Sequence, residues 1–287
     1  MAISINSNQS AARAQRQLGT TSNNLSRTFE RLASGSRINR ASDDAAGLSI
    51  DASLRVDARV AAVASRNAQD GISAVAITDG ALSSITGVLG RLAELAQQAG
   101  NGAYSQIQRS ALQNEFVALG SEIERIAVTT TYNGVNLLSG NQSISFQVGF
   151  DATSTSQITM NQGGGGTLQN LGLAASGSSA LSYSLSGATG DVAQSAARNA
   201  LAAITGAVTS VNSIRGSLGT TEARLNTAIN NLSTTRENVL AAASRITDAD
   251  VASEAAELTR LNILQQAGAS VLAQANQLPQ LAIQLLR

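Results

Sequence analysis

From Ile204 onward every seventh residue is apolar through seven successive repeats: Ile204, Val211, Leu218, Leu225, Leu232, Val239 and Ile246. Such spacing lays one narrow apolar stripe along an α-helix, a pattern that a strand of period two cannot produce. No Pro interrupts 201–246, so the spacing predicts one long helix there. The companion heptad position reads Leu201, Val208, Arg215, Glu222, Ile229, Arg236 and Ala243. Three charged residues on the seam disfavour an isolated coiled coil. They suit packing against several neighbours, or a partly exposed seam.

A second stripe runs Val75, Thr78, Leu82, Ile85, Leu89, Leu92, Ala96 and Ala99. It belongs to a helix predicted from about Asp44 to Ala99, about 80 Å long at 1.5 Å per residue, and closed by Gly100-Asn101-Gly102. A third helix carries Leu112, Phe116, Leu119, Ile123 and Ile126. Both termini repeat the heptad: Ala11, Leu18, Leu25 and Leu32 at one end, Leu264, Val271, Leu278 and Leu285 at the other. Leu261, Gly268, Ala275 and Ala282 accompany the latter as seam partners. The first helix is predicted to stop at Ser34 with Gly35 as its cap. The next restarts at Ser42-Asp43-Asp44 with Ser42 as cap, and Thr247-Asp248-Ala249-Asp250 restarts a helix in the same way. Matching helices at the two ends predict a chain folded back on itself, the ends forming one domain and the middle another. Between 143 and 190 the period changes. Ile144, Phe146, Val148 and Phe150 alternate as in a half-buried strand, Asp151–Ser156 makes a polar turn, and Ile158 and Met160 mark a return strand. Gly163–Gly166 and the Ser-, Gly- and Ala-rich 174–190 read as flexible loops beside this β-hairpin.

Aromatic residues are only 2% of the chain and Trp is absent, although hydrophobic residues make up 43%. Ala, Leu, Val and Ile fill thin helical seams better than a thick core. His and Cys are absent, which removes the commonest general base, the commonest metal ligand and all thiol chemistry. No HExxH, CxxC or phosphate-binding loop occurs, and Gly163–Gly166 lacks the Lys such a loop needs. Asp43 and Asp44, adjacent on the chain, suit helix capping and not paired-carboxylate catalysis. No catalytic, cofactor or metal site is expected. The 19 basic residues, all Arg, balance 19 acidic ones, so no field is expected that would draw nucleic acid or an anionic membrane. The N-terminal residues lack the basic and apolar regions of a Sec-type signal, and no run of about 18 apolar residues predicts a membrane span. The amphipathic terminal segments fit helix partners better than lipid. Each has little to bury alone, and is expected to order only against neighbours.

Residues Glu30 to Ile50, ERLASGSRINRASDDAAGLSI, closely resemble the N-terminal signature of bacterial flagellins. The C-terminal signature is similar too, in SRITDAD at 244–250, ILQQAGASVLAQANQ at 263–277 and the closing Leu285-Leu286-Arg287. TYNGVNLL at 131–138 and Gln147-Val148-Gly149 fit the middle of the family pattern. The resemblance covers about 1–175 and 191–287. It implies a mainly α fold, a long antiparallel helical hairpin or coiled-coil rod with a small β-hairpin near its tip. Residues 1–44 and 247–287 would form the inner-tube domain, D0. Residues 45–175 and 191–246 would form the rod domain D1, with its β-hairpin at about 143–162, and the short 176–190 stretch would replace outer domains. The implied function is a structural subunit that polymerises into the extracellular flagellar filament for swimming motility, by coupled folding of its terminal helices. Leu18, Leu25, Leu32, Leu264, Val271, Leu278 and Leu285 would form its subunit interface. The resemblance further implies type III export without a cleaved signal, an export chaperone, and filament cap and hook–filament junction proteins as partners. The family is also recognised by the animal flagellin-sensing Toll-like receptor, and the matching positions are Arg91, Leu95 and Glu115; Gly90 departs from the pattern beside them.

Three readings compete at this level. A filament subunit accounts for both terminal signatures and the middle. A hook–filament junction protein would share the terminal helices only. An enzyme would need a catalytic insertion, which neither the composition nor 176–190 can supply.

Overall fold

A computed structural model describes residues 8–140, 143–161, 165–187 and 189–285, with backbone alone for 278–285. The fold is mainly α. Helices α1 (Gln9–Ser34), α2 (Ala45–Ala99) and α3 (Gln106–Thr129) precede strands β1 (Thr131–Tyr132), β2 (Val135–Asn136), β3 (Ile144–Gln147) and β4 (Gln157–Met160). Helices α4 (Gly190–Thr247) and α5 (Val251–Leu285) complete the chain. Two compact units result, residues 1–58 with 237–287 and residues 59–236.

The central unit, 59–236, holds the main hydrophobic core. The α2 stripe expected from its spacing is buried from Val75 to Ala99, and Ile204, Val211, Leu218 and Leu225 of α4 are buried with it. Phe116 and Ile123 of α3 join the same cluster. Arg215, a charged seam position, is tied to Asp79 of α2 by a bidentate pair at 2.7 and 3.3 Å. Being about two-fifths exposed, that pair sets register more than it adds stability.

By length and composition α2 could cross a membrane, since one 18-residue window has a mean hydropathy of 1.5. Its buried stripe packs inside the protein, however, and apart from Ala76 and Ile77 its exposed side in that region is Ser73, Gly80, Ser83, Ser84, Gly87 and Gly90. Small polar residues are not what a hydrocarbon-facing surface presents. These residues make α2 a core helix.

The strands differ in detail from the alternation pattern. β3 pairs antiparallel with β4, Ile144 opposite Met160 and Gln147 opposite Gln157. The ladder stops at Gln147, and Val148 N–H donates to the Ser156 carbonyl inside the turn. Phe150, an expected strand residue, lies beyond the ladder and is exposed. A second hairpin, β1–β2, turns on Asn133 and Gly134, both in the left-handed region at φ 49° and 77°. That dihedral pair is what a two-residue hairpin turn requires.

Of the stretch expected to be a flexible loop, 174–190, residues 174–187 are fastened down. Leu181 bridges to Ala174, and Leu185 is fully buried. The Gln113 side-chain oxygen accepts from Leu185 N–H, and Gln106 Nε2 donates to the Gly187 carbonyl at 3.1 Å. Leu181 seats at Gly120 of α3, where a Cβ would come within 2.3 Å of its Cδ1. The Ser-, Gly- and Ala-rich composition concealed three apolar anchors, Leu181, Tyr183 and Leu185. Of the expected glycine breaker, Gly163 and Gly164 lie outside the described residues, while Gly166 is buried against Leu138.

Candidate functional site

The outer unit, 1–58 with 237–287, is built on the antiparallel pairing of α1 with α5. Arg31 meets Glu254 at 3.3 Å near one end, Leu18 lies under Gly268 midway, and Asn8 Nδ2 donates to the Ala275 carbonyl at 2.8 Å near the other. A Cβ at Gly268 would meet Leu18 Cδ1 at 3.4 Å, an ordinary contact distance, so the two helices touch here.

This pair buries little. The only fully buried side chains of α1 are Thr21 and Thr28. Among the described side chains of α5 only Leu261 and Ala275 are buried. No buried hydrophobic cluster involves α1 or α5 among the described residues. Leu18, Leu25 and Leu32 are half-buried along the α1 side of the pair. Leu264 and Val271 are not on the α5 side of that seam. They point outward, 42% and 58% exposed, and Leu261, Gly268 and Ala275 face α1 instead. The outward stripe also includes Ile263 at 61%, and α1 presents Phe29 at 63%. Sequence reasoning missed both; Phe29 is one of only four Phe in the chain, and that rarity was the available signal. Leu278 and Leu285 lie outside the residues whose side chains are described.

A hydrogen-bonded linker joins these helices to α2 and α4 within the same unit. α1 ends at Gly35, whose φ of 69° closes the helix as expected. Ser36 then bridges to Asp248. Arg37 N–H donates to the Thr247 carbonyl at 2.6 Å, Ala249 N–H to Gly35 at 2.9 Å, and the Arg37 guanidinium to Ile246 at 2.8 Å. Asp44, not Ser42, caps α2: its Oδ1 accepts from Gly47 N–H at 2.8 Å. A carboxylate one residue before the helix is the stronger acceptor for the free first-turn N–H groups. Asp43 turns back, accepting from Asn39 and Arg40 N–H at 3.3 and 3.2 Å. Asp250 caps α5 through Ala252 and Ser253 N–H. A buried Asp51 holds Arg55 at 2.8 and 3.0 Å, and Arg55 reaches Thr247 Oγ1 at 3.4 Å.

In the central unit Arg91 and Glu115 meet across α2 and α3 at 2.8 Å, exposed to solvent, with Glu94 also on Arg91 at 2.9 Å. These two carboxylates, Glu94 first, raise the Arg91 guanidinium above its ordinary value. Leu95 is fully buried in the core, so a partner at this surface would touch Arg91 and Glu115 and not Leu95. That corrects its expected role as a surface contact: its position on α2 belongs to the buried stripe. Beside the pair, Gly90 opens onto empty space. No group of three or more acidic side chains suited to a metal occurs among the described residues.

Comparison with known proteins follows this geometry. The family model "Bacterial flagellin N-terminal helical region" matches residues 5–143, and "Bacterial flagellin C-terminal helical region" matches 201–286. The chain is 41% identical to a flagellin of Halalkalibacterium halodurans, covering 99% of both chains. It is 37% identical to a Bacillus subtilis flagellin, again over 99% of each. The flagellar filament 30.7 kDa core protein of Treponema maltophilum is 36% identical over 98% of this chain and 99% of its own.

The linker should respond to acid. Hydrogen bonds from the backbone, led by that of Asn39, hold the Asp43 carboxyl below its ordinary 3.8. A depressed carboxyl contributes stability that is fully present above 3.8 and lost as pH falls through the folded value. The Asn39 and Arg40 amide resonances should therefore titrate with a midpoint below 3.8. A midpoint at or above 3.8 would contradict this linker geometry.

Proposed function

The chain belongs to the bacterial flagellin family and is a structural subunit of the extracellular flagellar filament, not an enzyme; from that premise we propose that it polymerises by coupled folding of α1 and α5. The observation that carries this reading is the imbalance of the α1·α5 pair. Among the described side chains it buries almost no apolar one, yet turns Phe29, Ile263, Leu264 and Val271 to the outside. A helix pair without a core is marginal alone and gains its burial from neighbouring copies. In this proposal residues 1–44 and 247–287 build the inner tube, with Leu18, Leu25, Leu32, Leu264, Val271, Leu278 and Leu285 at subunit contacts. Residues 45–175 and 191–246 build the surrounding layer. Export through the flagellar type III apparatus without signal cleavage, with a chaperone on the C-terminal segment, belongs to the same proposal, as do contacts with the filament cap and hook–filament junction proteins. The absence of Cys supports it, since a chain threaded unfolded cannot then be cross-linked.

The test is electron microscopy of monomer added to short filament seeds. Leu264→Asp and Val271→Asp each place an unpaired carboxylate at the outward stripe. Each should raise the critical concentration by at least about tenfold, or 1.4 kcal/mol, while the melting of the central unit stays at the wild-type value. Normal filaments from both variants would sink the proposal.

A second reading concerns surface recognition. The Arg91–Glu115 pair is solvent-exposed on two different helices, which supports recognition by the animal flagellin-sensing Toll-like receptor. Glu115→Arg should abolish binding of the receptor ectodomain; unchanged binding would remove these residues from the site.

A further inference from the structure

Charge in the outer unit is sorted by position. Its ten carboxylates all lie within 30–58 and 237–257, around the linker. Towards the chain ends, 8–29 of α1 and 258–285 of α5 contain Arg13, Arg16, Arg27 and Arg260 and no carboxylate at all. Arg260 is neutralised by Glu257. The other three are exposed and have no ion pair among the described residues; Arg27 reaches only the Asn24 amide, at 2.8 Å. Arg13, Arg16 and Arg27 stand within about 60° of one another around α1, at 100° per residue, and span about 21 Å of its length. They lie away from the side that meets α5, because Leu18, Thr21, Leu25 and Thr28 occupy that side. Arg13 and Arg16, three residues apart, repel each other in the free chain. Around the linker the surplus is of the opposite sign. The same stretch sets only Arg31, Arg37, Arg40, Arg55 and Arg245 against its ten carboxylates, and Asp57, Glu237, Asp248 and Asp250 form no salt bridge among the described residues.

We propose that a second copy of this chain docks its arginine face, Arg13, Arg16 and Arg27, against the carboxylate-rich linker region of the first, so that charge sets the polarity and axial register of assembly. This rests on the filament-subunit reading and adds to it the direction of stacking. An open filament needs a head-to-tail interface, in which two different surfaces of one subunit are complementary. The outer unit carries both surfaces, of opposite sign. Its exposed apolar stripe supplies burial without direction, since the hydrophobic effect is non-directional. Opposed charges supply direction, since a reversed neighbour would bring arginine to arginine.

The experiment measures elongation of seeds at about 0.05 M and 0.5 M salt, conditions in which the Debye length falls from above 10 Å to below 5 Å. Arg13→Glu/Arg16→Glu/Arg27→Glu should add to wild-type seeds at least about tenfold more slowly at low salt, and the deficit should shrink at high salt. In an inverted chain, Asp57→Arg/Glu237→Arg are added, so that the reversed α1 face meets two cations in the next copy while the carboxylates that hold turns and cap helices stay in place. That chain should elongate its own seeds and still fail on wild-type seeds, an outcome a misfolded helix could not give. Elongation by the triple variant within twofold of wild type at low salt would overturn the proposal. So would an inverted chain no better than the triple variant on its own seeds. If wild-type monomer failed to extend wild-type seeds, the coupled-folding reading would fail with it. If it extended them and the triple variant did too, only the charge pairing would be lost.

Discussion

Apolar burial is distributed unequally along this chain, and the rest of its structure depends on that fact. The core built from Leu82, Ile85, Leu89, Leu92 and Leu95 of α2, Phe116 and Ile123 of α3, and Ile204 to Leu225 of α4 lies wholly within 59–236. Burying a large aliphatic side chain contributes about 1.5–3 kcal/mol, so a cluster of this size stabilises the central unit independently of any partner. Among its described side chains the α1·α5 pair buries two threonines on one side, and Leu261 and Ala275 on the other. The outer unit is therefore held by backbone pairing and capping more than by a core, and its surplus apolar surface faces outward. This division of burial gives one region of the chain a core of its own and leaves the other with apolar surface to spare.

The linker shows how an end without a core is still directed. Ser36 to Asp248, Arg37 to Thr247 and Ala249 to Gly35 zip the two strands of chain together. Asp43, Asp44 and Asp250 satisfy the first N–H groups of the turns and helices that follow. These polar contacts are directional, so they fix where α1 and α5 leave α2 and α4 within the outer unit, with Ile38 the one buried apolar side chain of 35–44. The same carboxylates contribute to the negative surplus of the linker region.

Much of this was legible in the sequence. A stripe of period seven reports a buried helix face directly, and Val75 to Ala99 and Ile204 to Leu232 are buried as their spacing predicts. Gly35 ends α1 because a left-handed cap is cheapest for Gly. Other features were hidden for physical reasons. Periodicity identifies apolar faces but does not say which face finds a partner within the chain, so Leu264 and Val271 were grouped with Leu18 and Leu25 although they point away from α1. Composition averages over residues, so the Ser- and Gly-rich 174–187 segment concealed Leu181 and Leu185, whose sites depend on distant Gly120 and Gln113. The Asn133-Gly134 hairpin has its signal in the sequence, an Asn-Gly pair between β-branched and aromatic residues. Arg109 could not have been foreseen: it is buried, with a guanidinium bridging the Asn101 and Gly190 carbonyls at 3.1 and 3.4 Å, and no local pattern announces such a contact.

The most direct test of the unequal burial is amide hydrogen exchange on the same protein as monomer and as filament. In the monomer, amides of α1 and α5 should exchange within seconds to minutes while those from Leu82 to Leu95 stay protected for hours, and in the filament both sets should be protected. Protection of α1 and α5 in the monomer equal to that of the α2 core would show that the terminal pair is stable alone, and would contradict coupled folding.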